Sequence, residues 1–162
     1  MDTQAWMDQH DAAVATSIRR HRWHVFYIGD DCCVPGCTQC QVGPPFAYTV
    51  GMFGLGHPEL LLFSVDQATA LHVFNRLGAR ILDGDQLLAG FETTVDGFPS
   101  RIVPETVPNP GEIVFEANRF YDRPPPFSVP VLQLSYADPT GRFPWEPTYR
   151  GPDQPRPGMF QA

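Results

Sequence analysis

Apolar residues recur at helical spacing in two long stretches of the chain. The first runs from about residue 3 to 21 and the second from about residue 67 to 82, each with charged residues on its other side. Asp66 stands where the N-terminal cap of the second helix is expected. A third helix is expected to begin at Pro110 and to end before the prolines at 124–126. The pattern therefore predicts about three helices.

β-branched and aromatic residues mark the predicted strands. The run from Leu60 to Phe63 is apolar at every position, which is typical of a strand buried on both faces. Asp96-Gly97 predicts a tight turn between two of the strands. Strands are expected at residues 23–28, 46–52, 60–64, 90–95, 100–104 and 129–136.

Helices and strands in this order predict an α+β fold with a mixed or mainly antiparallel sheet. The chain has 162 residues, of which 43% are hydrophobic, so one domain over residues 1–150 can bury a core. The last residues are polar and rich in proline. A flexible tail is therefore expected over residues 151–162.

The charge balance argues against two classes of partner. The formal net charge is -7 and no basic stripe is present, which is unfavourable for binding nucleic acid or an anionic membrane surface. Residues 1–20 carry three aspartates and lack the apolar core of a signal peptide, and no apolar run approaches the length of a membrane span. We therefore expect a cytoplasmic protein whose thiols stay reduced.

The cysteines are confined to one short segment. Side chains so close in sequence cannot crosslink distant parts of a core, so they indicate a local metal site or a redox pair. The spacing Cys33-x3-Cys37-x2-Cys40 places three thiolates on a tight loop, and zinc binds such soft donors tetrahedrally. Cys32 is the less favourable ligand because it is adjacent to Cys33. All four cysteines of the chain lie within nine residues: Cys32, Cys33, Cys37 and Cys40.

A fourth ligand could be His24, His57 or another donor that the fold brings close, and other uses of the cysteines stay open. The same spacing matches the radical S-adenosylmethionine signature, but Gln39 stands where that signature has an aromatic residue, and the chain is too short for the barrel of those enzymes. A plain iron–sulfur cluster is an alternative cofactor. A reversible disulfide would make the segment a redox sensor, and four unliganded thiols are the least specific interpretation.

Five segments form a recognisable set: Trp23-His24-Val25, Pro44-Pro45-Phe46-Ala47-Tyr48-Thr49-Val50-Gly51, Gly56-His57-Pro58-Glu59-Leu60, Pro130-Val131-Leu132-Gln133-Leu134 and Gly141-Arg142-Phe143-Pro144-Trp145-Glu146-Pro147. Together they resemble a bacterial family known as domain of unknown function 4262. The resemblance covers about residues 22–149. It implies no activity, because the family has none established. The cysteine cluster resembles an insertion found in some of its members.

His57 and Glu59 are the candidate catalytic residues. They lie in a glycine-rich turn between two predicted strands, where functional groups are often displayed. Together with the cysteines they are similar to the His-x-Glu and Pro-Cys-x-x-Cys motifs of zinc deaminases, although the order is reversed and Gly36 separates Pro35 from Cys37. The structural alternative is that His57 caps a turn and Glu59 satisfies nearby amides.

Two hypotheses for function follow. The first is a small cytoplasmic metal-binding module whose cysteine loop, holding zinc, serves a structural or interaction role for an unknown protein or small-molecule partner. The alternative is a metal-dependent enzyme of the hydrolase or deaminase type that uses His57 and Glu59. Three further side chains are candidates for contact with a ligand: Tyr48, Gln133 and Trp145.

Overall fold

A computed structural model describes residues 2–29 and 43–162. Within these residues, six strands form one mixed sheet, and three α-helices lie on its two faces. The helices are α1 (Thr3–His21), α2 (Gln67–Leu82) and α3 (Phe115–Phe120). The strands are β1 (His24–Ile28), β2 (Phe46–Val50), β3 (Glu59–Phe63), β4 (Thr93–Val95), β5 (Phe98–Thr106) and β6 (Val131–Tyr136).

The strand order across the sheet is β1-β2-β3-β6-β5-β4. The central pair, β3 and β6, is parallel and aligns Glu59 with Val131, whereas the other neighbouring strands are antiparallel. The predicted α+β class is confirmed, and the sheet is mixed rather than mainly antiparallel. Since β3 and β6 lie at the centre, their side chains are buried on both faces.

Alternating residues of β3 divide the core into two layers. Leu60 and Leu62 face the layer that contains α2, whereas Leu61 and Phe63 face the layer that contains α3. All four side chains are almost completely buried. The continuous apolar run of the sequence is therefore explained by a strand that has a hydrophobic layer on each side.

The predicted limits of the two long helices are confirmed. Asp66 caps α2 by accepting a hydrogen bond from the amide of Thr69 at 2.7 Å. The third predicted helix is divided, because a 3-10 turn at Pro110–Glu112 precedes the short α3. No helix of the described ranges is long and apolar enough to cross a membrane.

Trp23 connects the first strand to α2. Its indole N–H donates to the side-chain oxygen of Asn75 at 2.9 Å. Gly78 leaves the space for its ring, because a Cβ atom at that position would lie 2.6 Å from the Trp23 ring atom Cζ2. A glycine in the middle of α2 is therefore required by close packing against the indole.

Residues 151–162, called here the tail, lie along the sheet on the side of α3. The side chain of Gln154 pairs with the backbone N–H and C=O of Tyr136 at 3.0 and 2.9 Å. Near the end of the tail, the ring of Phe160 packs edge-on against Phe46 and Phe63. These contacts define the path of the tail along the domain, and the flexibility that its composition predicts stays a prediction.

Candidate functional site

The carboxylate of Glu59 lies in a cradle of hydrogen-bond donors at the start of β3. The side chain is fully buried. Oε2 accepts a bond from the hydroxyl of Thr49 at 2.6 Å, and that hydroxyl accepts in turn from the amide of Leu60 at 2.9 Å. Three successive amides of the β2–β3 connection also donate to the carboxylate: Gly51 at 2.8 Å, Met52 at 3.2 Å and Phe53 at 3.1 Å. Consecutive N–H groups of this kind form a binding site for an anion, which the chain fills with its own side chain.

Burial and hydrogen bonding act on Glu59 in opposite directions. Removal from water disfavours the charged carboxylate, whereas the hydroxyl of Thr49 and the three amides favour it. Burial is the larger effect and raises the pKa of Glu59 to about 7. The carboxyl group therefore changes its protonation near neutral pH.

Two tyrosines border this cradle. The hydroxyl of Tyr121 accepts a bond from the amide of Gly54 at 3.1 Å, and burial together with the charge of Glu59 raises the pKa of Tyr121 to about 12. The hydroxyl of Tyr48 accepts from the amide of Glu116 at 3.2 Å, and burial raises the pKa of Tyr48 as well. Both phenols are therefore neutral at physiological pH, and each is a hydrogen-bond partner of a backbone amide.

Both ring nitrogens of His57 have backbone partners. Nδ1 is 2.8 Å from the carbonyl oxygen of Pro58, which only accepts, and Nε2 is 3.1 Å from the amide of Leu87, which only donates. The two bonds therefore fix the neutral tautomer that carries its proton on Nδ1. Neither nitrogen can bind a metal or exchange a proton with a substrate unless one of these bonds breaks.

The arrangement of Glu59 and His57 stabilises the connection between β2 and β3. Each amide from Gly51 to Gly54 donates to a side chain, and His57 joins the end of the same turn to the segment after α2. The structure thus shows the bonds of the structural alternative, in which Glu59 satisfies nearby amides. A catalytic role for the pair stays a prediction.

A second buried carboxylate organises the segment after β6. Burial alone would favour the neutral form of Asp138, but bonds from the hydroxyl and amide of Thr140 and from the amides of Arg142 and Arg150 outweigh it. Together they hold the pKa of Asp138 well below its usual range. The loop that Asp138 closes carries Trp145 at the surface of the domain.

Trp145 lies in a stack of two adjacent rings with a guanidinium group on each side. Its ring is parallel to that of Phe143, with 4.7 Å between the centroids. The guanidinium carbon of Arg156 lies 5.0 Å from the Trp145 centroid, and that of Arg101 lies 5.1 Å from the Phe143 centroid. Trp145 is 43% exposed, so this part of the stack is open to solvent.

A family model described as Domain of unknown function (DUF4262) matches residues 17–150, which is most of the chain. The chain belongs to this family. No curated protein and no solved structure matches it. The Glu59 cradle, His57 and the loop closed by Asp138 all lie within the part that matches the DUF4262 family, whereas the tail lies outside it.

Of the three candidate ligand contacts, two lie together in this DUF4262 domain. The amide group of Gln133 donates to the carbonyl oxygen of Pro155 at 2.7 Å, and Trp145 stacks on Arg156, so both contact the tail. Tyr48 lies apart from them, buried beneath α3 and stacked on Phe26. Ligand binding by any of the three stays a prediction.

The cysteines, Cys32, Cys33, Cys37 and Cys40, lie outside the described residues. Their segment connects β1 to β2, next to Ile28 and Phe46, which are partners in the ladder. His24 pairs with Val50 at the other end of the same hairpin. At about 3.4 Å per residue, this end is about 14 Å from the end where the cysteine segment is attached. The Glu59 cradle is at the His24 end.

The described residues also contain one group with the composition of a metal site. Ligand atoms of His10, Asp11 and Glu116 lie within 4.8 Å of one another. The guanidinium of Arg119 forms ion pairs with both carboxylates of the group. The positive charge that a cation would supply is therefore already provided by an arginine.

Some important residues could not be identified from the sequence. Thr49 and Asp138 have local signals, a β-branched polar residue in an apolar strand and an Asp-Pro-Thr-Gly turn. No local signal identifies the residues that pair with Glu105 and Gln133, because those residues lie in the tail, 51 and 22 positions further along the chain.

Proposed function

We propose that this DUF4262 protein is a zinc-binding module of the reducing cytoplasm, in which Cys33, Cys37 and Cys40 hold the metal and Cys32 completes the set. The zinc has a structural role, and the ordered segment presents a surface to a protein or small-molecule partner. The observation that carries the proposal is the confinement of all the cysteines to nine residues between two paired strands. Soft thiolates at this spacing are the ligands that zinc prefers.

The position of the segment supports an interaction role. It extends from the turn end of the β1–β2 hairpin, and β1 is the edge strand of the sheet. Connections at a sheet edge contribute little to the core, so they are free to change in sequence and to acquire binding functions. The Glu59 cradle has its own hydrogen-bond partners at the far end of the hairpin, which is why the proposal assigns the metal to the cysteines alone.

The direct test is elemental analysis of protein purified under reducing conditions without added metal. We expect about one equivalent of zinc per chain, as in a closed four-ligand site. A variant with Cys37→Ser and Cys40→Ser should lose the metal. Thiol titration of the native protein should be slow and should become fast after a chelator is added.

A matched control is His57→Gln, which removes a histidine from the described turn and leaves the thiols intact. The proposal expects this variant to retain its zinc. Loss of zinc from His57→Gln with the fold preserved would favour the enzyme hypothesis, in which histidine and cysteines share one metal. Protein without metal whose four thiols react freely would overturn both hypotheses, and iron with sulfide would indicate a cluster instead.

A further inference from the structure

The tail contacts the domain through a row of polar and aromatic side chains. The tail site, as it is called here, is formed by four of them: Glu105, Gln133, Trp145 and Tyr149. Glu105 lies on β5 and Gln133 on β6, and they are opposite each other in the ladder. Trp145 and Tyr149 come from the loop that Asp138 closes. All four lie within the residues that match the family model.

Arg156 of the tail is bound on two sides. Its guanidinium makes two parallel bonds to the Glu105 carboxylate, at 2.6 and 2.7 Å, and the hydroxyl of Ser135 donates to the same carboxylate at 2.6 Å. The planar group also lies over the ring of Trp145. A fork-shaped pair combined with an aromatic face is selective for arginine over lysine.

The prolines of the tail contribute backbone acceptors. The carbonyl oxygen of Pro152 accepts from the hydroxyl of Tyr149 at 2.6 Å, and that of Pro155 accepts from the side chain of Gln133 at 2.7 Å. Prolines at 152, 155 and 157 lack amide hydrogens, so the tail cannot add a regular strand to the sheet. Residues 152–157 are held by separate side-chain contacts, which is the way proline-rich ligands dock on aromatic grooves.

The site is open to an incoming chain. A groove of about 810 Å³ is lined by Glu105 and Trp145 on the domain side and by Arg156 and Pro157 on the tail side. The side chains of the central ion pair keep 20% and 38% of their exposure. A competing segment can therefore reach the central contact before the tail has left it.

We propose that the tail site binds proline-rich, arginine-bearing segments of a partner protein, and that the tail occupies it as an intramolecular competitor. The ligand is an extended peptide in which an arginine follows a proline, as in Gln154-Pro155-Arg156-Pro157. The proposal is independent of the cysteine segment, because each of its contacts lies within the described residues. It assigns to this surface the recognition of a peptide, regulated by the chain's own tail.

The test is a binding titration with a fluorescein-labelled peptide that has the sequence of residues 151–162. The receptor is the full chain with Arg156→Ala and Phe160→Ala, which weaken the hold on its own tail. We expect this receptor to bind the peptide at least about tenfold more tightly than the wild-type chain does, since a charge-assisted pair is worth that factor or more. A peptide that carries alanine in place of its arginine is the ligand control.

Glu105→Gln in the same receptor is the matched control of the site and should weaken binding of the peptide by a similar factor. Circular dichroism and thermal melting establish that each receptor is folded. If the weakened receptor does not fold, hydrogen exchange of the wild-type tail is measured with and without excess peptide, and faster exchange is expected with peptide. Absence of binding by a folded receptor, binding insensitive to Glu105→Gln, or tail exchange unaffected by peptide would overturn the proposal.

Discussion

Replacing Glu59 by glutamine tests how much the buried carboxyl group contributes to the pH dependence of folding. In the unfolded chain its pKa has the ordinary value of 4.5, whereas in the fold burial raises it to about 7. One pKa unit corresponds to about 1.4 kcal/mol, so the difference is worth about 3 kcal/mol. Because the folded protein holds this proton more tightly, the contribution to stability is fully present below pH 4.5 and is lost as the pH rises through about 7.

Urea unfolding at pH 5 and at pH 8 measures this contribution. For the wild type, Glu59 should lower the free energy of unfolding by about 2–3 kcal/mol between the two pH values, whereas Glu59→Gln cannot titrate and lacks this decrease. Other titrating groups are common to both proteins, so the difference between the two pH dependences isolates Glu59. One of the two carboxylate oxygens becomes an NH2 group in the glutamine variant. This donor then faces the donors of the cradle, which should destabilise the variant at both pH values.

Thr49→Val is the matched control, because it removes one donor to the carboxylate and retains the acid. The pKa of Glu59 in the folded variant should rise further, since a bond that favours the charged carboxylate is lost. The decrease in stability between pH 5 and pH 8 should then be larger than in the wild type. If Glu59→Gln and the wild type show the same pH dependence while both are folded, the carboxyl does not titrate with folding and the reasoning is refuted.

Three further predictions concern packing and loops. Gly78→Ala should destabilise the protein by about 1–3 kcal/mol and shift the fluorescence of Trp23, because the new Cβ lies 2.6 Å from the indole; unchanged melting and emission would contradict this packing. Asp138→Asn should speed hydrogen exchange of the amides of Thr140, Arg142 and Arg150, which lose a charged acceptor. Equal exchange in both proteins would argue against a stabilising role for these three bonds. Gln154→Ala leaves buried backbone groups of Tyr136 unpaired and should cost about 1–3 kcal/mol in urea unfolding, whereas Gln161→Ala, which alters an exposed side chain of the same tail, should change little.

Local signals explain why the helices and the sheet class could be predicted. The ends of α2 are marked by the Asp66 cap and by the end of the apolar period, and both depend on residues within one turn. The apolar run of β3 indicates a central strand, because only a central strand is covered on both faces. Strand partners are not local, so the parallel pairing of β3 with β6 could not be derived from either segment.

The site illustrates the same limit. The short spacing in His57-Pro58-Glu59 draws attention to a candidate catalytic pair, but its chemistry depends on Thr49 and Leu87, which the chain brings there from other segments. The tail illustrates a further limit. Its prolines predict flexibility, and the single residues that anchor it, such as Phe160, are too sparse to produce a periodic signal.

Some polar side chains of this fold are already hydrogen-bonded within the domain, and these are less available to bind a ligand than the others. The polar atoms of Glu59 and His57 are hydrogen-bonded to the backbone around the β2–β3 connection. Replacing either residue therefore destabilises that connection before it affects any ligand. The tail reaches the end of the hairpin formed by Ile28 and Phe46, the residues between which the cysteine segment is attached in sequence. There Phe160 packs on Phe46 and lies 3.7 Å from the position of a Cβ on Gly43, where the cysteine segment rejoins the sheet. The Phe160 contact therefore joins the end of the tail to the first residue of β2, the strand that follows the cysteine segment in the chain.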